Sequence, residues 1–284
     1  MGPAELQILI SRLTGVAEEM GAVLRRAAFS PNIKERADCS AALFTADGEL
    51  LVQAEHIPVH LGSMPASVAA AIAAFGGDGR PGDVLAPGDQ VVLNDPFAGG
   101  THLNDLTLVA PCFLDGRLVG WAANRAHHAD VGGMAPGSIP ADATEIYQEG
   151  LRIPPVLLTP AVEKILCANS RTPDERRGDL DAQRGANVVG VERLVALAAT
   201  GAPFDEVTAY GERRMRAALA AVPDGTWTCA DVLDSCGPRP DQQRPARIRV
   251  THTVAGDTAT FDFTGTDGQR AGNVNAVEAV TVSA

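Results

Sequence analysis

Possible metal ligands are concentrated in one stretch of the chain, residues 94–133. His102 and Asp105 lie three positions apart, just after the pair Gly99-Gly100, and His127 follows at about the length of a hairpin. Imidazole nitrogens and carboxylate oxygens form the ligand sets of hard or borderline divalent cations, and Mn, Zn and Fe bind such sets with overlapping affinities. The stretch therefore predicts a divalent metal site made of His102, Asp105 and His127. The alternative is a cluster of hydrogen-bonded loop residues without a metal.

Two neighbouring residues are candidates for proton transfer. His127 and His128 are adjacent, so on an extended strand they point to opposite faces and only one of them should join a given site. We assign His127 to the metal and His128 to the substrate side of the site. Asp130 could orient an imidazole or accept a proton, so we predict a catalytic role for it as well.

Substrate contacts are predicted from two other stretches. Glu55, His56 and His60 lie in AEHIPVHLGSMP and offer a further ligand or a substrate contact, although a hydrogen-bonded structural role is equally open for His56. Asn94 and Asp95 begin the stretch that holds the metal ligands, and we predict that they bind substrate.

The elements that must position these residues are a mixture of helices and strands. Apolar residues recur every three or four positions from Leu6 to Val23, which predicts an amphipathic helix over residues 4–28. Apolar alternation and turn residues predict strands at 41–44, 50–52, 91–94, 106–113 and 118–123, with an Asp115-Gly116 turn before the last, and a hairpin of 246–254 and 258–264. Further helices are predicted at 65–75, 173–199 and 205–222.

This pattern predicts a mixed α/β fold in which a β-rich central region carries the site and amphipathic helices pack on it. We expect a single domain over residues 1–284, with a metal-site region (1–158), a helical region (159–222) and an incomplete β-hairpin region (223–284).

Composition excludes several classes of partner. The chain carries 23 basic and 35 acidic residues, and its net charge of −12 argues against nonspecific binding to nucleic acid or to anionic membranes. The five cysteines form no CxxC pair, and the longest apolar run is far short of a membrane span, so we expect a reduced, cytoplasmic protein. The chain has no GxxxxGK[ST] phosphate loop, which predicts that any nucleotide is handled by another polypeptide.

Five segments together resemble one known family. They are AEHIPVHLGSMP, NDPFAGGTHLNDLTLVAPCF, HHADVGG, RTPDERRGDLDAQ and GNVNAVEAVTVSA, and the resemblance to the hydantoinase B/oxoprolinase family runs through nearly all 284 residues. The resemblance implies an A-type partner subunit that uses ATP, and a metal site in this subunit. In acetone carboxylase relatives the metal is manganese, held by His, Asp and His residues that fall on His102, Asp105 and His127 here. The resemblance also places Glu35 on the approach to that site, with a catalytic role.

The function implied is that of a metal-dependent catalytic subunit of an ATP-dependent hydrolase, which opens a cyclic amide such as a hydantoin or 5-oxoproline. Two alternatives remain open. One is a subunit of an ATP-dependent carboxylase similar to acetone carboxylase. The other is a truncated, noncatalytic protein that only binds its partner, since B subunits of the family are usually longer than this chain.

Overall fold

The computed structural model describes residues 1–55, 57–75 and 85–284. Within these residues the chain has the predicted mixed α/β fold, with helices packed on an antiparallel sheet. The helices are α1 (Pro3–Ala27), α2 (Pro31–Lys34), α3 (His60–Phe75), α4 (Pro160–Asn169), α5 (Pro173–Ala198), α6 (Phe204–Ala220) and α7 (Glu278–Ser283). The strands are β1 (Cys39–Phe44), β2 (Leu50–Glu55), β3 (Val91–Leu93), β4 (Asp105–Leu114), β5 (Arg117–His127), β6 (Val156–Leu157), β7 (Gly225–Leu233), β8 (Ala246–Ala255) and β9 (Thr258–Asp262).

The main sheet is antiparallel and has the strand order β2-β1-β5-β4-β3-β6. Its longest pairing is the hairpin of β4 and β5, which is closed by Asp115 and Gly116. Both turn residues have positive φ, 49° and 78°, as a type I′ turn requires, and Asp-Gly is a preferred pair for that turn. The sequence predicted this turn but ended β5 at residue 123. The strand in fact continues to His127 and carries that residue to the edge of the sheet.

Helices cover the main sheet on both faces. On one face α1 and α5 pack against apolar residues that include Leu43 and Ala122. On the other face α3 packs against Phe44 and Trp121. Neighbouring strand residues therefore belong to different cores, because side chains alternate between the faces of a strand. The same alternation decides which polar residues can meet at the end of the sheet.

The predicted helices were mostly right, with one consequential error. α3 begins at His60, not at residue 65, and holds Pro65 within its length. The sequence pattern predicted that Pro65 begins the helix. The helix instead contains Pro65 and tolerates the loss of one backbone hydrogen bond at that residue. Helix α4 and strand β7 were not predicted. None of the helices formed by the described residues is long and apolar enough to cross a membrane.

Strands β7, β8 and β9 form a second antiparallel sheet. The β8–β9 part is the hairpin predicted around Gly256, and β7 is added at its other side. Trp227, His252 and Phe261 lie side by side across the three strands, and the His252 ring stacks on Phe261 with ring centroids 4.5 Å apart. Trp227 and Phe261 are nonetheless 48% and 61% exposed. The aromatic face of this sheet is therefore open within the described part of the chain.

Asp130 fixes the loop that follows β5. Its carboxylate accepts hydrogen bonds from the backbone N–H groups of Gly132, Gly137 and Arg171, each at 3.1 Å, and from the Arg171 guanidinium at 2.9 Å. Burial raises the pKa of Asp130, but the hydrogen bonds from Arg171 and the two glycines outweigh it, so its pKa lies below the ordinary value. The structure does not bring Asp130 to the predicted metal ligands, because its carboxylate ties the loop to the start of α5.

We expect Asp130→Asn to lower the free energy of unfolding at pH 7 by about 2 kcal/mol, the size of a hydrogen bond to a charged group. The folded pKa is the lower one, so the carboxylate's contribution is present above the unfolded value of about 4 and is lost as pH falls through the folded value. Urea unfolding at pH 7 and pH 3 measures this, with the exposed Asp142→Asn as control. An equal effect of Asp130→Asn at both pH values would contradict the expectation.

Gly190 allows close packing of α5 on α1 and β5. A Cβ atom at this position would lie 2.5 Å from Met20 Sδ and 2.9 Å from Ala122 Cβ. We expect Gly190→Ala to lower the free energy of unfolding by about 1–3 kcal/mol through overpacking. The control is Gly185→Ala on the same helix, where nothing lies within 4 Å and alanine should stabilise by about 0.5–1 kcal/mol. Both are measured by urea unfolding, and the same sign at both positions would refute the packing argument.

Candidate metal centre

Three predicted ligands meet at the edge of the main sheet. Asp105 is the first residue of β4 and pairs directly with His127, the last residue of β5. His102 lies in the loop that enters β4, three residues before Asp105. The antiparallel register therefore joins a carboxylate and an imidazole that are 22 positions apart in the sequence. The short loop adds the second imidazole.

The ligand atoms of these residues are mutually close. His102 Nε2 and His127 Nδ1 each lie 3.1 Å from Asp105 Oδ1, and the two nitrogens are 2.9 Å apart. The imidazole rings meet edge to face at 64°. Two nitrogens and one oxygen thus face a common point. Only one proton can lie between the two nitrogen atoms, so at least one of these nitrogens directs a lone pair toward the common point.

Burial and charge differ across the cluster. Asp105 is buried, His127 is mostly buried, and the side chain of His102 is 44% exposed. Burial raises the pKa of Asp105, but hydrogen bonds and charge from His102, with His127 and His60, hold it well below its usual range. Burial lowers the pKa of His102, yet Asp105 outweighs this and raises it. Asp105 is therefore an ionised carboxylate whose charge favours the cationic form of His102. Solvent reaches the cluster from the His102 side.

Asp38 lies beside the cluster and was missed as a site residue. Its carboxylate Oδ2 is 3.9 Å from His127 Nδ1, and its carbonyl accepts a hydrogen bond from His127 N–H. The pairing of Cys39 with Ala126 explains this position, because the next step of the same register sets Asp38 opposite His127. Glu35, which the family resemblance favoured, is exposed, and no described contact joins its carboxylate to the cluster. Only knowledge that β1 pairs with β5 could have selected Asp38.

Glu149 is a second residue that the sequence did not suggest. Burial raises the pKa of its carboxyl, and the charge of His102 opposes that shift. It belongs to the long connection between β5 and β6. No sequence signal marked it, because it stands alone among residues that match no ligand pattern.

His128 points away from the cluster, so the structure does not bring it together with the predicted metal ligands. Its Nε2 lies 2.9 Å from Gln183 Oε1 on α5, and the side chain is fully buried. Burial, reinforced by the Arg176 guanidinium, lowers the pKa of His128 to about 3. The alternation argument correctly separated His127 from His128. It could not show that α5 seals the face to which His128 points.

Asn94 and Asp95 are engaged in local structure, not turned toward a substrate. The Asn94 amide donates to the carbonyls of Leu103 and Leu151 and accepts from Ile153 N–H. Asp95 accepts a hydrogen bond from Phe97 N–H and so caps the short 3₁₀ turn that follows. Both side chains hold the loop that carries His102.

His60 is the predicted substrate contact that the structure brings to the cluster. It is buried at the first position of α3, with Nε2 3.6 Å from Asp105 Oδ2. The predictions for His56 and for the side chain of Glu55 lie outside the described residues.

Comparison with known proteins shows which proteins this chain is similar to. A 5-oxoprolinase of Saccharomyces cerevisiae is 34% identical over 99% of this chain, and the caprolactamase subunit beta of Pseudomonas jessenii is 34% identical over 83% of it. The crystal structure of the ATP-dependent caprolactamase of that organism superposes over the full chain with a TM-score of 0.87 at 30% identity. An acetone carboxylase structure superposes over 99% of the chain with a TM-score of 0.88, and at 19% identity it shows the shared fold alone.

The chain is shorter than these relatives. It spans 23% of the length of the yeast 5-oxoprolinase, 42% of the caprolactamase subunit and 49% of the chain in the caprolactamase crystal structure. The sequence profile of the hydantoinase B/oxoprolinase family matches residues 2–284. The segments that carried the resemblance, the shared fold and this match lead to one conclusion: the chain belongs to the hydantoinase B/oxoprolinase family.

Proposed function

We propose that this chain carries the divalent-metal site of an ATP-dependent hydrolase that opens a cyclic amide, and that it acts with a hydantoinase A-type subunit that uses the ATP. The observation that carries the proposal is the convergence of His102 Nε2, Asp105 Oδ1 and His127 Nδ1 within 2.9–3.1 Å of one another. Two imidazoles and one carboxylate are a common protein ligand set for a catalytic divalent ion.

The three candidate ligand atoms are 2.9, 3.1 and 3.1 Å apart, so one ion could bind all three. The set of two imidazoles and one carboxylate fits Mn, Zn or Fe.

The residues divide the work of such a site. Asp105, ionised and buried, supplies the negative charge, and His127 closes the inner side. The exposed side of His102 leaves room for substrate to approach. A bound divalent ion would supply Lewis-acid chemistry, polarising a carbonyl or phosphoryl oxygen and making water a better nucleophile. Asp38, with Oδ2 3.9 Å from His127 Nδ1, is the neighbouring carboxyl group that we propose to accept or hold a proton.

The substrate class follows from the named relatives. Caprolactam and 5-oxoproline are both lactams, in which a ring amide resists attack by water. Coupling to ATP would overcome this resistance by activating the carbonyl oxygen. The sequence contains no GxxxxGK[ST] phosphate loop, so we assign ATP binding to the partner subunit. The carboxylase alternative implies the same three metal ligands, but the solved acetone carboxylase structure is 19% identical to this chain and shows the shared fold alone.

The metal assignment predicts the composition of the purified protein. We expect about one divalent ion per chain, and its loss in His102→Ala, Asp105→Asn and His127→Ala with the fold retained, because each variant removes one of three ligand atoms. Elemental analysis and circular dichroism measure this. The control is His252→Ala in the second sheet, which removes an imidazole far along the chain and should keep the metal. A wild-type protein that contains no divalent metal would contradict the proposed function and favour the noncatalytic alternative.

The activity assignment is tested with the A-type subunit. Chain, partner, Mg-ATP and a panel of hydantoin, 5-oxoproline and caprolactam should give ring opening with ATP consumption, and His102→Ala should reduce ring opening to the background without chain. Chromatography of the ring-opened product and phosphate release measure this. Incorporation of labelled bicarbonate without ring opening would replace the hydrolase by the carboxylase alternative.

A further inference from the structure

We propose that His60, held by Ser40, is a positioning residue that fixes the orientation of the Asp105 carboxylate so that a single oxygen, Oδ1, faces the metal. The inference rests on the proposed metal site and adds a role for a residue from a different part of the fold. Positioning here means that His60 acts through Asp105 and does not itself bind the metal.

The two carboxylate oxygens of Asp105 have different surroundings. Oδ1 faces His102 and His127 at 3.1 Å each. Oδ2 accepts a hydrogen bond from the Thr101 hydroxyl and lies 3.6 Å from His60 Nε2. Partners on Oδ2 keep it from turning toward the same point as Oδ1. Asp105 is therefore set to bind an ion through one oxygen.

The Asp105 carboxylate favours one tautomer of His60, and the Ser40 hydroxyl can pair with it. Ser40 Oγ lies 2.9 Å from His60 Nδ1, and both side chains are almost fully buried. If the Ser40 hydroxyl donates to Nδ1, the proton of the neutral ring sits on Nε2 and faces Asp105. The opposite tautomer would point a lone pair at an anionic oxygen, which is repulsive. At 3.6 Å the contact with Oδ2 is longer than a hydrogen bond and acts as an attraction between charge and dipole.

His60 is anchored independently of the ligand loop. Thr101 and His102 belong to the same loop, whereas His60 starts α3, which packs on the main sheet through Met64 and Val68. Ser40 lies on β1 and pairs with Arg125 of β5. The buried Arg125 guanidinium bonds to Ser67 of α3 at 2.7 Å and to Thr107 of β4 at 2.8 Å. Strands and helix are thus tied behind Asp105, and His60 transmits that rigidity to the carboxylate.

The experiment compares metal affinity in three variants. His60→Leu keeps the volume but removes the donor, and we expect Mn²⁺ affinity, measured by competition with a chelator, to fall about 10–100-fold, as loss of an outer partner of a metal ligand usually costs. His60→Gln retains an N–H donor in place of Nε2 and should stay within about threefold of wild type. Ser40→Ala removes the hydroxyl that holds the His60 ring, and its Mn²⁺ affinity should fall between those of the other two variants.

The matched control is Met64→Leu, one turn along α3, where the side chain is buried in the apolar core and touches no ligand. It should bind Mn²⁺ as wild type does. The electron paramagnetic resonance spectrum of bound Mn²⁺ should change in His60→Leu and stay unchanged in His60→Gln and Met64→Leu, which a merely structural role would not produce. Urea unfolding in EDTA checks that each variant folds, and Ser40→Ala carries the test if His60→Leu does not.

The outcomes separate the two proposals. A wild-type protein that binds no Mn²⁺ refutes the proposed metal site itself. A wild-type protein that binds while folded His60→Leu binds equally well refutes the positioning role alone. If His60→Gln is as weak as His60→Leu while Met64→Leu is normal, the donated N–H is not the cause and the inference is likewise overturned.

Discussion

The pairing of β4 with β5 is the constraint on which the candidate site depends. Its register sets Asp105 opposite His127, and the neighbouring pairing of β1 with β5 brings Asp38 next to them. Three strand ends therefore supply three polar side chains at one edge of the sheet, and no loop has to be ordered to bring them together. A shift of register by one residue would turn His127 to the opposite face, because side chains alternate along a strand.

The two faces of the sheet give its polar residues different fates. On the α3 face, Arg125 contacts a serine hydroxyl, and His127 contacts the Asp105 carboxylate, which also lies near the His60 imidazole. Charged and ionisable groups therefore lie together on this face of the sheet. On the α5 face, Asn124 and His128 enter a network of amide groups centred on Gln183. That network pairs most of the buried polar groups on this face and fixes α5 on the sheet, although His128 Nδ1 has no hydrogen-bond partner.

The second sheet is largely exposed. Its aromatic face is open, and Ala246 and Val254 are buried residues of its strands. The chain spans less than half the length of these relatives. The three candidate ligands His102, Asp105 and His127 lie within the described residues, so the metal content of this chain tests the proposed site.

The sequence by itself determined the ligand types, the Asp115-Gly116 hairpin, the long helix α1 and the separation of His127 from His128, since these depend on local periodicity and on side-chain chemistry. The tertiary structure decided that Asp38 and not Glu35 approaches the cluster, that His60 begins a helix behind Asp105, and that α5 closes the face of His128. These outcomes depend on which strands pair and which helix covers each face. Such contacts join residues far apart in the chain, and their free energy is set by the packing of whole elements, which no local pattern records.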